Sequence, residues 1–482
     1  MSSTYEMVSR RLRITGVPRS VRIVPSALLA LALALTACSG GVHGTPGVPG
    51  VHDPYFPKAG NGGYDVGHYD LRLAYDPHGA GRLTGTATLT ARATQNLSAF
   101  DLDLKGLDVQ EVTVEGRSAR FNRAGQELTV RPHDDLDDGE TFRVTVRYSG
   151  TPQAVTDPDG SQEGWLPTTD GALALGEPTG AMAWFPGNNH PSDKASYDIA
   201  VTVPKGLRAV SNGELTGETT TGDRTTFTWH TPEPMASYLA TVAVGHYDIS
   251  RSTIGKDRLP VYVAVDPTQA KASREVLAQL PEIIEWEEYN FGPYPFSSTG
   301  AIVDDAKDVG YALETQNRPV FPSAPDTGTL VHELAHQWYG DSVTPKSWRD
   351  MWLNEGFATY AEWLWDEDHD GDTAQQTFDA LYAHGEDDHP GLWSFPPAEP
   401  SGAAHISDAP VYERGAMVLH KIRQTVGDDT FYDIIQGWAV AHRHGNADTA
   451  DFTAYVEKAA PDKDFAPIWK QWLYGEGKPA HP

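Results

Sequence analysis

From about residue 64 to 248, apolar and polar side chains alternate with a period of two. Tyr69-Asp70-Leu71-Arg72-Leu73, Thr86-Ala87-Thr88-Leu89-Thr90 and Phe142-Arg143-Val144-Thr145-Val146-Arg147-Tyr148 are examples. A strand turns successive side chains to opposite faces, so this pattern predicts half-buried β-strands. Asp137-Asp138-Gly139 and Asp157-Pro158-Asp159-Gly160 separate the runs as turns, which predicts an antiparallel sandwich or saddle. From about residue 270 the apolar spacing becomes helical. Helices are predicted over 273–289, 328–339, 355–365, 414–426, 429–441, 449–458 and 465–473, while Val261-Tyr262-Val263-Ala264-Val265 keeps the character of a strand. Strands followed by helices predict an all-β domain followed by an α+β, mostly helical one.

The first residues read as an address. Residues 1–24 set Arg10, Arg11, Arg13, Arg19 and Arg22 against a single acid, Glu6, and residues 24–37 are mostly apolar. That run is short for a membrane span and suits the apolar region of an export signal. It leads into Leu35-Thr36-Ala37-Cys38, which resembles a bacterial lipobox, the motif in which the cysteine is lipidated and becomes the mature N-terminus. Ser9-Arg10-Arg11 resembles part of a twin-arginine export signal. Residues 39–52, rich in Gly and Pro, read as a tether. The expected organisation is a signal over 1–37, lipidated Cys38 and tether over 38–56, a β domain over 57–255 and a second domain over 256–482. The expected location is the outer face of a bacterial cell membrane, through a lipid anchor only.

Composition narrows the functions. The chain has 482 residues, of which 39% are hydrophobic and 21% charged, as a folded chain requires. A formal charge of −29 argues against a general nucleic-acid binder, whose affinity needs surplus cations. Cys38 is the single cysteine, which excludes an intramolecular disulfide and a thiolate metal cluster.

The chemistry concentrates in His332-Glu333-Leu334-Ala335-His336. On a helix, positions four apart share a face, so His332 and His336 can offer imidazole nitrogens to one ion. Neutral imidazole suits zinc, which also needs a third ligand and an open position for water. Glu333 is left as a base. The alternative for these five residues alone is a helix with two solvated histidines. Glu355, which follows His336 by 19 positions, begins the next apolar-periodic helix and completes a His₂Glu ligand set.

His332-Glu333-Leu334-Ala335-His336-Gln337-Trp338-Tyr339-Gly340, with Trp348-Arg349-Asp350-Met351-Trp352-Leu353-Asn354-Glu355-Gly356-Phe357-Ala358, resembles the M1 zinc metallopeptidases, relatives of aminopeptidase N and leukotriene A4 hydrolase. The likeness includes Tyr64-Asp65-Val66-Gly67-His68-Tyr69-Asp70-Leu71, Trp184-Phe185-Pro186, Pro191-Ser192-Asp193-Lys194-Ala195, Phe291-Gly292-Pro293-Tyr294-Pro295-Phe296 and Gln471-Trp472-Leu473-Tyr474, and so spans about residues 63–475. It implies a thermolysin-like catalytic domain after the β domain and one Zn²⁺ per chain. It implies that Tyr412 stabilises the transition state, and that Glu314 and Glu177 bind the free α-amine of a peptide substrate. The implied protein is a monomeric zinc aminopeptidase. The rivals are a related zinc hydrolase of altered selectivity (an endopeptidase or epoxide hydrolase) and a catalytically silent surface binding protein.

The chain departs from the family's G-x-M-E-N segment. Tyr311 stands for Gly, Leu313 for Met and Thr315 for Asn, so the strand beside the substrate is expected to be placed differently. Arg414 replaces the more usual Lys after Tyr412. The large C-terminal helical domain of many relatives is not expected here, which predicts a more open cleft. Asp366-Glu367-Asp368-His369-Asp370-Gly371-Asp372 copies the start of an EF-hand loop, but Thr377 stands where a bidentate Glu is needed, so it reads as an acidic turn. His384 and His389 read as lying in an exposed loop.

Overall fold

The computed structural model describes residues 44–77, 81–306 and 308–482. The export signal and Cys38 lie outside them. The predicted order, β-rich first and mostly helical afterwards, is the one observed.

Among the described residues, an eight-stranded sheet forms the centre of the β half. Tyr64–Asp76 pairs antiparallel with Arg82–Ala93 on one side and parallel with Lys194–Pro204 on the other. Tyr69, Leu71, Leu73 and Tyr75 turn inward while Asp70 and Arg72 turn out, as the alternation predicts. A five-stranded sheet holds Ala154–Thr156, Gln162–Pro167 and Ala172–Leu175 side by side, ending on Arg208–Ser211. The helical half opens with a mixed four-stranded sheet, from Asp248–Ile254 through Leu259–Val265 and Thr299–Val303 to Val320–Phe321.

The same half carries, among the described residues, eight helices of eight residues or more: α1 (Ala270–Leu277), α2 (Leu280–Phe291), α3 (Thr327–Ala335), α4 (Trp352–Asp368), α5 (Ala374–Asp388), α6 (Gly415–Val426), α7 (Asp428–Ala441) and α8 (Thr449–Ala459). The helix predicted over 273–289 is two helices. Pro281 stands in the first turn of α2, where its missing N–H is harmless, and it disfavours a continuous helix through Leu280. The segment predicted over 465–473 is a short helical turn, Ala466–Ile468, followed by a π-helical turn, Trp469–Leu473. Helix α5 corrects the loop expected around His384 and His389. Thr373 and Gln376 form a reciprocal capping box at its start, and Ala374, Phe378 and Gly385 are buried on its inner face.

The tether is also corrected where it is described. Thr45–Pro46 pairs in parallel with Leu97–Asp103, and the Gly47 amide donates to the Ala99 carbonyl at 2.8 Å. This segment satisfies backbone groups of a sheet edge instead of running free.

Among the contacts that join the halves, two bear on the segment beyond α3. Lys194, at the start of its strand, donates to the carbonyls of Asp341 (2.9 Å) and Ser342 (3.0 Å), just beyond α3. Asp53 accepts from Ser347 Oγ (2.8 Å) and the Trp348 amide (3.0 Å), and lies 3.3 Å from His190 Nε2. Burial opposes charge on Asp53. Hydrogen bonds from His190, the Phe56 amide, Ser347 and the Tyr55 amide outweigh it and hold the carboxyl well below the usual carboxylate range. A carboxyl depressed in the folded state stabilises fully above its unfolded pKa of about 3.9 and loses that contribution as pH falls further. Asp53→Ala should therefore cost roughly 2–4 kcal/mol near neutral pH, and less in acid. Urea unfolding at two pH values measures this; an equal loss at pH 7 and pH 3 would contradict it.

Candidate active site and metal centre

Asp326 caps α3 by accepting from the Thr329 amide at 2.8 Å, which fixes where the helix begins. Its apolar face (Leu330, Val331, Leu334, Ala335) is buried. His332 and His336 then fall one turn apart on the other side. Helix α4 packs on α3 and brings Glu355 between them. Glu355 Oε2 lies 3.1 Å from His332 Nε2 and 3.3 Å from His336 Nε2.

The second nitrogen of each ring is already engaged. His332 Nδ1 is 2.7 Å from Glu362 Oε1, and His336 Nδ1 is 3.0 Å from the Tyr339 carbonyl. Those acceptors hold the ring protons on Nδ1, so both Nε2 lone pairs point at the carboxylate oxygen. With neutral rings this places three acceptors at one buried point, which then needs positive charge, either a metal ion or protons on the rings themselves. Burial works against charge on both imidazoles, but Glu355 and Glu362 outweigh it at His332 and raise its pKa well above the usual histidine value. Glu355 and Glu314 likewise raise His336 to about 9. Burial opposes charge on Glu355 too, and the two histidines overcome it to hold the carboxyl at about 2. Two nitrogens and one carboxylate oxygen at this spacing fit Zn²⁺.

Glu333 is buried beside this set, and its Oε2 has no partner. Burial lifts its carboxyl to about 8, against the pull of His332 and His336 and with the push of Glu314 and Glu355. Tyr412 sits in a π-helical turn, Pro410–Arg414, that leads into α6. Its ring stacks on His332 with centroids 6.0 Å apart and planes 13° apart. Arg414 is buried and donates to the carbonyls of Trp472 (3.0 Å) and Phe395 (3.2 Å), which anchors that turn. Gly356 of α4 meets the same turn. A Cβ there would lie 2.9 Å from the Gly415 carbonyl carbon and 3.0 Å from its Cα, so only glycine lets the two backbones approach.

Glu314 reaches the site despite the departures around it. Leu313 and Val320 exchange backbone hydrogen bonds (2.9 and 2.8 Å), Thr315 Oγ1 donates to the Arg318 carbonyl at 2.6 Å, and Gln337 Nε2 donates to the Glu314 carbonyl at 3.2 Å. Arg318 is buried with its guanidinium 5.0 Å from the rings of Trp229 and Tyr262, which fixes the far end of the turn. Glu177 follows the strand Ala172–Leu175. Its turn is held by Glu163, which accepts from Thr179 Oγ1 (2.9 Å) and the Gly180 amide (2.6 Å). Carboxylate oxygens of Glu177, Glu314 and Glu355 lie within 4.8 Å of one another, as do ligand atoms of Glu314, Glu333 and His336. Glu177 Oε1 and Glu314 Oε1 have no hydrogen-bond partner. Burial and the neighbouring acids raise both carboxyls, Glu177 strongly. All seven predicted residues with described coordinates thus meet in one cavity of about 530 Å³.

The sequence reading missed Glu362, Glu163 and the Tyr339 carbonyl. Glu362 carried a signal, since it follows Glu355 by seven positions, two turns along the same face of α4. Glu163 carried none, because its role depends on a turn that folds back from residues far along the chain.

The model of the Peptidase family M1 domain matches residues 317–472, and that of the Peptidase M1 N-terminal domain matches residues 66–239. Aminopeptidase 2 of Candida albicans is 26% identical over 86% of this chain and 47% of its own length. A probable aminopeptidase 2 of Sulfurisphaera tokodaii is 26% identical over 78% of this chain and 50% of its own. The chain thus spans about half the length of these curated relatives. A solved M1 zinc metallopeptidase from Deinococcus radiodurans is 30% identical, covers 90% of this chain and 98% of its own, and superposes with a TM-score of 0.82. A mutant of a Deinococcus radiodurans M1 enzyme, solved with a Tyr-Ser-Ala substrate, gives 30% identity, 90% and 99% coverage, and a TM-score of 0.81. With both halves matched by family domains and a solved relative matched over nearly its whole length, the chain belongs to the M1 zinc metallopeptidase family.

Proposed function

We propose that the chain is a zinc aminopeptidase that releases N-terminal residues from peptides, anchored outside the cell through lipidated Cys38. The observation that carries the catalytic reading is the pair of unpartnered carboxylates, Glu177 and Glu314, beside the His332–His336–Glu355 set. Two acids this close, in a cavity whose described lining holds no lysine or arginine, suit a substrate's α-ammonium.

Zinc, when bound by His332, His336 and Glu355, supplies Lewis-acid polarisation of the scissile carbonyl and of a water. Glu333 accepts the proton of the attacking water and passes it to the leaving amine. The Tyr412 hydroxyl, kept protonated by burial and the surrounding carboxylates, donates to the oxyanion. Glu177 and Glu314 hold the ammonium and thereby place the first peptide bond, and no later one, at the reacting centre.

A panel of short peptides, each with a free and an acetylated N-terminus, tests this. Acetylation should reduce kcat/KM by at least about 100-fold, since it removes a charge held by two buried acids. Equal cleavage of both forms would remove the ammonium clamp and favour an endopeptidase. For the anchor, the supporting features are the apolar run and the single cysteine at the end of Leu35-Thr36-Ala37-Cys38. Cys38→Ser should move the protein from the membrane fraction to the soluble one; an unchanged distribution would dismiss lipidation.

A further inference from the structure

The cavity continues past the ammonium clamp. Its outer wall is formed by the turn at 157–162 and the segment at 308–312, which no step of the reaction uses. Tyr311 joins the two: its hydroxyl donates to the Gln162 carbonyl at 3.0 Å, across the gap between the β half and the strand segment that carries Glu314. The phenol at this position, where the family's segment has glycine, becomes part of the wall.

We propose, building on the aminopeptidase reading, that this outer compartment receives the substrate's first side chain and selects lysine or arginine. Two features of the lining match such a side chain. Pro158, Val309 and the Tyr311 ring offer apolar surface for a methylene stem, and an aromatic face also attracts a cation. Asp308, and Asp159 through the oxygen that does not accept from the Ser161 amide and hydroxyl, supply carboxylates for its head. Among the described residues, the lining contains no lysine or arginine that would neutralise them. Asp159 and Asp308 stand exposed at the rim, while Asp157 is buried within the turn and within reach of Ser161 Oγ at 3.4 Å.

The register follows from the same cavity. Glu314 is 2% exposed, its Oε1 is unpartnered, and it lines this cavity together with Tyr311. A residue whose α-ammonium rests on Glu314 and Glu177 therefore has its own side chain, and not that of the next residue, beside the 308–312 wall. An acidic first side chain would meet the Asp159 and Asp308 carboxylates and is disfavoured by repulsion.

Lysyl and norleucyl amides of one chromophore provide the test, because they share a stem and differ in the charge. With the full chain loaded with zinc, kcat/KM for the lysyl amide should exceed that for the norleucyl amide about tenfold. The ratio should shrink as salt is raised, as screening of partly exposed carboxylates requires. Glutamyl amide should be the poorest substrate. The double variant Asp159→Asn/Asp308→Asn should bring the lysyl-to-norleucyl ratio close to one. Equal rates for the two amides in the native chain, or a ratio unchanged in the double variant, would overturn the assignment of this compartment while leaving the aminopeptidase reading in place. Failure to split any aminoacyl amide would overturn that reading and the proposal together.

Discussion

Replacing Glu333 by glutamine is expected to lower kcat by roughly 10²–10⁴-fold while the chain keeps its zinc. Glutamine has the same shape but cannot take the proton from the attacking water. The metal set is untouched, because His332, His336 and Glu355 meet one another without Glu333. The base is active only when ionised, and burial raises its carboxyl, so the native rate should fall on the acid side as Glu333 takes up a proton. The residual rate of Glu333→Gln should lack that dependence. Metal content by atomic absorption and a pH series of kcat/KM measure both effects. A variant that turns over at near-native rate would defeat the assignment of Glu333 as the base.

Glu355→Ala should lose both zinc and turnover. It removes one of three protein ligands, and the one whose carboxylate offsets the burial of the two imidazoles. Without it His332 keeps only Glu362, and His336 only Glu314, to offset burial, so both rings hold a proton less firmly. Neutral, they remain competent donors, but two nitrogens hold a zinc ion far less firmly than two nitrogens and a carboxylate. The folded variant should therefore carry well under one zinc per chain after dialysis, and added zinc should restore little activity. Retention of one zinc and native rates in Glu355→Ala would mean that another group completes the set.

The parts of the site that rest on local periodicity were legible in the sequence. His332 and His336 lie one turn apart on any helix, and Glu355 opens the next apolar pattern, so only packing was needed to unite them. Helix α5 was hidden because Gly385 and the acids of 386–388 imitate a loop. In the fold Gly385 is buried, and a Cβ there would come within 2.6 Å of Leu392 Cδ2, so its glycine serves packing and not a turn. The Thr373–Gln376 capping box was the readable counter-signal. The break at Pro281 was readable too, and a run of apolar spacing on either side obscured it. Glu163 and Arg318 could not be found by pattern, and the motif that contains Lys194 did not show what its ammonium holds. Each acts on backbone groups contributed by distant segments, and a carbonyl leaves no mark in a sequence.

The bare seam where Gly356 meets Gly415 has a consequence for how competence should be judged. On one side of it stands Glu355, and on the other the phenol that covers His332. A single methyl inserted there would act as a wedge between the backbone that follows Glu355 and the turn that carries Tyr412. Zinc content and turnover, read together on a Gly356→Ala chain, would tell which side gives way: loss of both if the carboxylate shifts, loss of turnover alone if the phenol does.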